Sequence, residues 1–167
     1  MEEWNLGLLK NKSAESNVPA FWESPYSDPP YTRFESILIK AWAMAPKLTL
    51  PALTGPQADR IFELRSYESA TDKLYRNKVQ MFNEGGEIRL FARLNFNAVF
   101  YGDVLAGSNM PNLMYMTSFN NITERDAHWK AFVDDAEWKK LLTMPEYQHN
   151  VSKSDIILMH PKPYSDF

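Results

Sequence analysis

The sequence predicts an α+β domain, an antiparallel sheet with its helices gathered on one face. Three observations carry that prediction. Four stretches, at 60–69, 98–105, 113–119 and 154–160, alternate in polarity or are apolar enough to be strands. Two stretches of helical period stand between the first and second strands and between the third and fourth. The connection between the middle strands is rich in Gly, Ser, Asn and Pro, as a hairpin loop is.

Ahead of these elements, residues 11–31 mix Ser, Asn, Pro and acidic side chains without helical or strand period, the pattern of a loop or extended tail. Phe21, Trp22, Tyr26 and Tyr31 nevertheless lie in it. A solvated tail rarely keeps four large aromatics, so this arm is expected to lie on a folded surface. In 31–47, Arg33, Glu35, Ile37 and Ile39 alternate with Phe34, Ser36 and Leu38, a strand pattern. Pro51, Gly55 and Pro56 then refuse regular structure. A module boundary is placed there, separating an N-terminal arm (1–57) from a domain (58–167).

The first domain strand, Arg60–Ser69, sets Phe62 and Leu64 against Glu63, Arg65 and Tyr67. Ser69 or Thr71 can cap the following helix, with Asp72 favourable in its first turn. Tyr75, Val79 and Phe82 give that helix one apolar face, and Gly85-Gly86 interrupts it before Ile88, Phe91 and Leu94 resume the period. Asn95-Phe-Asn is a turn, Ala98–Leu105 the second strand and Leu113–Phe119 the third. Asn121 with Glu124, or Thr123 with Asp126, begins the next helix. Trp129, Phe132, Val133 and Ala136 form its stripe, which Trp138, Leu141 and Leu142 repeat before Pro145. Ser154–His160 supplies the last strand. Read in order, 60–160 is β-α-β-β-α-β, the ferredoxin-like split βαβ arrangement. Such a sheet leaves one face bare, and an apolar face of that size must be covered.

Composition removes whole classes of chemistry. The chain of 167 residues, 44% hydrophobic, can bury roughly 70% of its unfolded surface and needs no staples. With no cysteine, disulfides and thiolate chemistry are excluded. His128, His149 and His160 have no common spacing, so a His-based metal site is not expected. No cofactor is expected either. A net charge of -3 argues against nucleic-acid binding. No apolar run of 18 residues offers a membrane span, and the acidic start lacks the character of a signal peptide, so a cytoplasmic protein is expected. The 5 Trp, 8 Tyr and 10 Phe fill either a core or an interface.

The candidate site follows from the bare face. If Phe62 and Leu64 meet the helices, Glu63, Arg65 and Tyr67 line the opposite side, and charges there must pair or lie in a wet cavity. Glu63 and Arg65, two apart on one strand, can form an ion pair that fixes register. Alternatively they open a small polar pocket in which Arg65 anchors an anion and Tyr67 hydrogen-bonds it, with Tyr115 a further lining residue. No catalytic residue stands out. His128 is placed at the edge of its helix or in solvent rather than as a proton shuttle or haem ligand. Glu84-Gly-Gly-Glu87 reads as structure, Glu87 suiting the first turn of the resumed helix, and no phosphate loop or serine elbow occurs.

Phe62-Glu-Leu-Arg-Ser-Tyr-Glu-Ser69, Lys78-Val-Gln-Met-Phe-Asn-Glu-Gly-Gly-Glu-Ile88, Ala98-Val-Phe-Tyr-Gly-Asp-Val-Leu-Ala-Gly107, Met110-Pro-Asn-Leu-Met-Tyr-Met116 and the Trp129–Trp138 helix resemble the NIPSNAP family over about residues 60–165. The resemblance implies a dimeric α/β barrel, in which two ferredoxin-like sheets pack face to face. Many members carry two repeats in one chain. Here Pro29–Ser36 through Pro46-Lys-Leu resembles only the last strand of a first repeat, so a homodimer is expected, with the 32–42 strand adding to a sheet edge or crossing to the other subunit. The function implied is that of a binding or adaptor protein of unproven activity. The rival is a cofactor-independent monooxygenase-like or other small-ligand enzyme with a cavity lined by Glu63, Arg65, Tyr67 and Tyr115.

Overall fold

The computed structural model describes Phe21 and residues 23–165. The expectations for the acidic start, for 11–20 and for Trp22 of the arm fall outside the described residues. The chain divides into two compact units, Met1–Ser36 and Ile37–Phe167. In the first, Tyr31 packs against Phe21 and Phe34, with ring centres 5.7 and 6.0 Å apart.

The second unit is one antiparallel sheet of five strands: β1 (Leu38–Ala41), β2 (Ile61–Glu68), β3 (Phe100–Ala106), β4 (Asn112–Phe119) and β5 (Lys153–Met159), in the order β1-β3-β4-β2-β5. The last four hold the ferredoxin-like order. The strand expected in 31–47 is regular only over β1, which lies at the edge of this chain's own sheet beside β3. Its approach depends on Gly102, where a Cβ would come within 2.6 Å of the Lys40 carbonyl oxygen.

Four helices cover one face: α1 (Asp72–Asn83), α2 (Glu87–Arg93), α3 (Ile122–Asp134) and α4 (Ala136–Thr143). Of the two caps open to α1, Thr71 is used, its hydroxyl accepting from Leu74 N at 3.3 Å. Gly86, at φ 96°, redirects the chain from α1 into α2, a left-handed conformation that a side chain would strain. Asn121 wins the next cap, its Oδ1 accepting from Glu124 N at 2.8 Å. The stripe expected to run unbroken through Ala136 is cut at Asp135, whose extended backbone ends α3 and whose carboxylate caps α4 through Glu137 N at 2.8 Å. The cut turns Val133 outward, 57% exposed, while Phe132 stays buried.

The core lies between sheet and helices. Phe82 of α1 and Phe91 of α2 meet Tyr101 of β3 and Tyr115 of β4, with Phe96, Phe119 and Phe132 closing the cluster. Phe91 and Phe96 stack at 4.5 Å and 12°. Each buried ring contributes roughly 1.5–3 kcal/mol by burial, and each well-placed aromatic pair about 0.5–1.5 kcal/mol beyond it. Those rings thus fill a core, whereas Phe21, Tyr26, Tyr31, Phe34 and Tyr164 are exposed.

One assignment is corrected. Glu63, Arg65 and Tyr67 face the helices, and Phe62 and Leu64 face away. In register Glu63 opposes Thr117, and Arg65 opposes Tyr115, which lies in the core. Alternation fixes which residues share a face but not which face meets the helices. Here α3 brings Arg125 and Trp129 down onto Glu63, so the charged set goes under the helices with its partners and the apolar set goes to the opposite face, where Phe62 is still buried.

Candidate functional site

Strand β2 delivers three polar side chains to one spot under α3. Glu63 is wholly buried and accepts four hydrogen bonds. Arg65 Nε donates to Oε1 at 2.5 Å, Arg125 Nε to Oε2 at 2.7 Å, Arg125 Nη2 to Oε1 at 3.2 Å and Trp129 Nε1 to Oε2 at 2.8 Å. Burial pushes this carboxyl up, but the Arg125 bonds, the Arg65 charge and the Trp129 bond outweigh it, so Glu63 stays below the usual carboxylate range. Arg65 lies flat on Trp129, its guanidinium carbon 3.6 Å from the ring centre. Its Nη1 donates to Tyr67 Oη at 2.9 Å, and Tyr67 Oη meets Tyr115 Oη at 2.8 Å. Burial raises Tyr115 well above 10, so it is a neutral phenol at physiological pH.

A second buried pair lies alongside. Lys78 of α1 and Glu87 of α2 join across the Gly-Gly break, Nζ donating to Oε2 at 2.8 Å. Both are almost fully buried. Burial raises the Glu87 carboxyl even against the attraction of Lys78. Lys78 also lies 4.5 Å from the Phe82 ring centre and 5.6 Å from that of Trp138.

Between these clusters a cleft of about 380 Å³ opens among α1, α2, α3 and α4, floored by Arg65, Tyr67, Lys78 and Glu87 and walled by Trp129 and Trp138. The four residues singled out from sequence are therefore in one place, but on the helix side of the sheet. Only Arg65 and Tyr67 reach the cleft, while Glu63 and Tyr115 are buried beneath it. Among the described residues no group of acids and histidines could hold a metal ion, and no helix is long and apolar enough to cross a membrane.

The NIPSNAP family profile matches residues 62–166, from Phe62 of β2 to past the end of β5. The chain belongs to the NIPSNAP family. Among solved structures, a NIPSNAP family protein from Agrobacterium tumefaciens is similar at a TM-score of 0.55 and 18% identity, over 64% of this chain and 97% of that one. An uncharacterized NIPSNAP-like domain protein from Burkholderia xenovorans is similar at 0.57 and 15%, over 65% and 90%. A protein from Fusobacterium nucleatum described as a candidate monooxygenase is similar at 0.55 and 8%, over 90% and 60%. At such identities these likenesses establish a shared fold. No curated protein sequence matches the chain.

For this NIPSNAP chain, reasoning from sequence missed Lys78, Glu87, Arg125, Trp129 and Trp138 as site residues. Two signals were present. Lys78 is three after Tyr75 and four before Phe82, so it lies on the apolar stripe of α1. Arg125 is four before Trp129 and shares its side of α3. A cation on an inward stripe calls for a buried acid, and Glu63 and Glu87 are those acids. His128 is half-buried beside Phe96 and Phe119, its Nδ1 without a partner among the described residues, and is no part of the cleft.

Proposed function

We propose that this NIPSNAP-family chain works by binding, as an adaptor-like homodimer whose two sheets close against each other on the faces turned from the helices. The observation that carries the first half is the saturation of Glu63. A carboxylate holding four donors, and kept below its ordinary range, is a poor general base at neutral pH. Its partner Arg65 is tied to it, which matches an ion pair serving structure. The second half is supported by Leu64, Phe100, Met116 and Ile157, apolar side chains on the far face that keep partial exposure. In this reading β1 is the last strand of a preceding repeat, within an arm of residues 1–57.

Light scattering at micromolar concentration tests the assembly. The expected mass is twice the 19.4 kDa of the chain, and a particle of 19.4 kDa overturns the dimer. An oxygen-uptake assay with ring-hydroxylated aromatics tests the absence of catalysis. The second reading, a cofactor-independent monooxygenase-like or other small-ligand enzyme, draws on the helix-side cleft and on the fold shared with the Fusobacterium protein. Uptake that vanishes in Arg65→Gln would give the function to that reading.

A further inference from the structure

The cleft under α3 and α4 has polar atoms left over. Arg65 spends Nε on Glu63 and Nη1 on Tyr67, and among the described residues its Nη2 has no acceptor, although the side chain is 12% exposed and lines the cleft. Glu87 uses Oε2 for Lys78, and among the described residues its Oε1 has no donor. Three cations (Arg65, Lys78 and Arg125) stand around two buried carboxylates (Glu63 and Glu87), which leaves one positive charge that the interior does not offset. Asp126, which takes Arg125 Nη1 at 2.8 Å, lies out in water. The walls are aromatic: Trp129, Phe132 and Trp138. A volume of about 380 Å³ lies within the range of roughly 300–1,000 Å³ usual for small-molecule sites.

These features describe a ligand by its parts. An unused guanidinium nitrogen suits a carboxylate. A free acceptor deeper in suits a hydroxyl donor, and flat aromatic walls suit a ring. We infer that the cleft binds a small aromatic hydroxy-carboxylate, with Arg65 Nη2 holding the carboxylate, Glu87 Oε1 accepting from the hydroxyl and the ring lying against Trp138. The site is built within one chain on the helix side, so it stands or falls independently of the dimer.

Calorimetric titration of the full chain with mandelate, phenylacetate and benzyl alcohol tests the inference. Mandelate should bind once per chain. Phenylacetate, without the hydroxyl, should bind more weakly, and benzyl alcohol, without the anion, at least about tenfold more weakly. Arg65→Gln should weaken mandelate by a similar factor. Val133→Trp offers a variant that leaves the polar network alone, because Val133 is exposed at the cleft wall, and its bulk should abolish binding. Three results overturn the site: no saturable heat with mandelate up to about 10 mM, equal affinity for benzyl alcohol, or undiminished binding by Val133→Trp.

Discussion

Glu63 and Glu87 are two buried carboxylates with opposite consequences. Glu63 is held below its ordinary 4.5, so it contributes stability that is complete above about pH 4.5 and is lost as the pH falls through its lower folded value. Urea midpoints measured from about pH 6 to pH 3 should fall more steeply for the wild type than for Glu63→Gln, which starts lower and loses less. Parallel curves would show that this carboxylate is not the linked group. Glu87 is raised, so its contribution is complete below pH 4.5 and declines as the pH rises through its folded value. Lys78→Met should cost about 3 kcal/mol by leaving Glu87 without its cation, whereas Lys78→Met with Glu87→Leu should return to within about 1 kcal/mol of wild type. A double variant as unstable as the single one would mean that the pair fixes the α1–α2 turn as well as neutralising itself.

At the scale of elements, the edge strand β1 is held by its pairing with β3 and by the indole of Trp42, which donates to Asp103 Oδ1 at 2.8 Å. Tyr75 of α1 donates to the same carboxylate oxygen, so one acid ties an edge strand to a helix. The contact admits no side chain at Gly102. Gly102→Val should therefore lift β1 from the sheet, at about 2–3 kcal/mol by the usual cost of overpacking. Amide exchange would report it, because the Trp42 amide donates to the Tyr101 carbonyl and should lose protection while β2 and β4 keep theirs. Unchanged protection at Trp42 would show that the strand can shift to accept the valine. The capped starts of α1 and α3 and the Gly85-Gly86 break were legible in sequence, because each depends on chemistry within four residues. The end of α3 was not, since Asp135 had to be read as a cap inside what looked like one stripe.

For the molecule as a whole, the sheet's two faces have different work. The helix side holds an aromatic core with a polar cleft set in it, and the far side carries apolar residues beside a C-terminal segment in which Pro161 and Tyr164 lie near Phe62. Ile157, 48% exposed and paired in register with Leu64, marks the far side on β5. In the proposed dimer, Ile157→Glu should give a monomer by light scattering that keeps the far-ultraviolet circular dichroism of the wild type, because the side chain is already half in water within one chain. A dimer that persists would move the interface off this face.

The amino-acid pattern alone determined the order of elements, the strand and helix periods, the family and the grouping of Glu63, Arg65, Tyr67 and Tyr115, since all of these rest on local spacing or on resemblance along the chain. Tertiary structure alone decided which face of β2 turns inward. Alternation is symmetric between the two faces, and the choice was made by residues some sixty positions away: Arg125 and Trp129 bring to Glu63 the hydrogen bonds that a buried carboxylate requires.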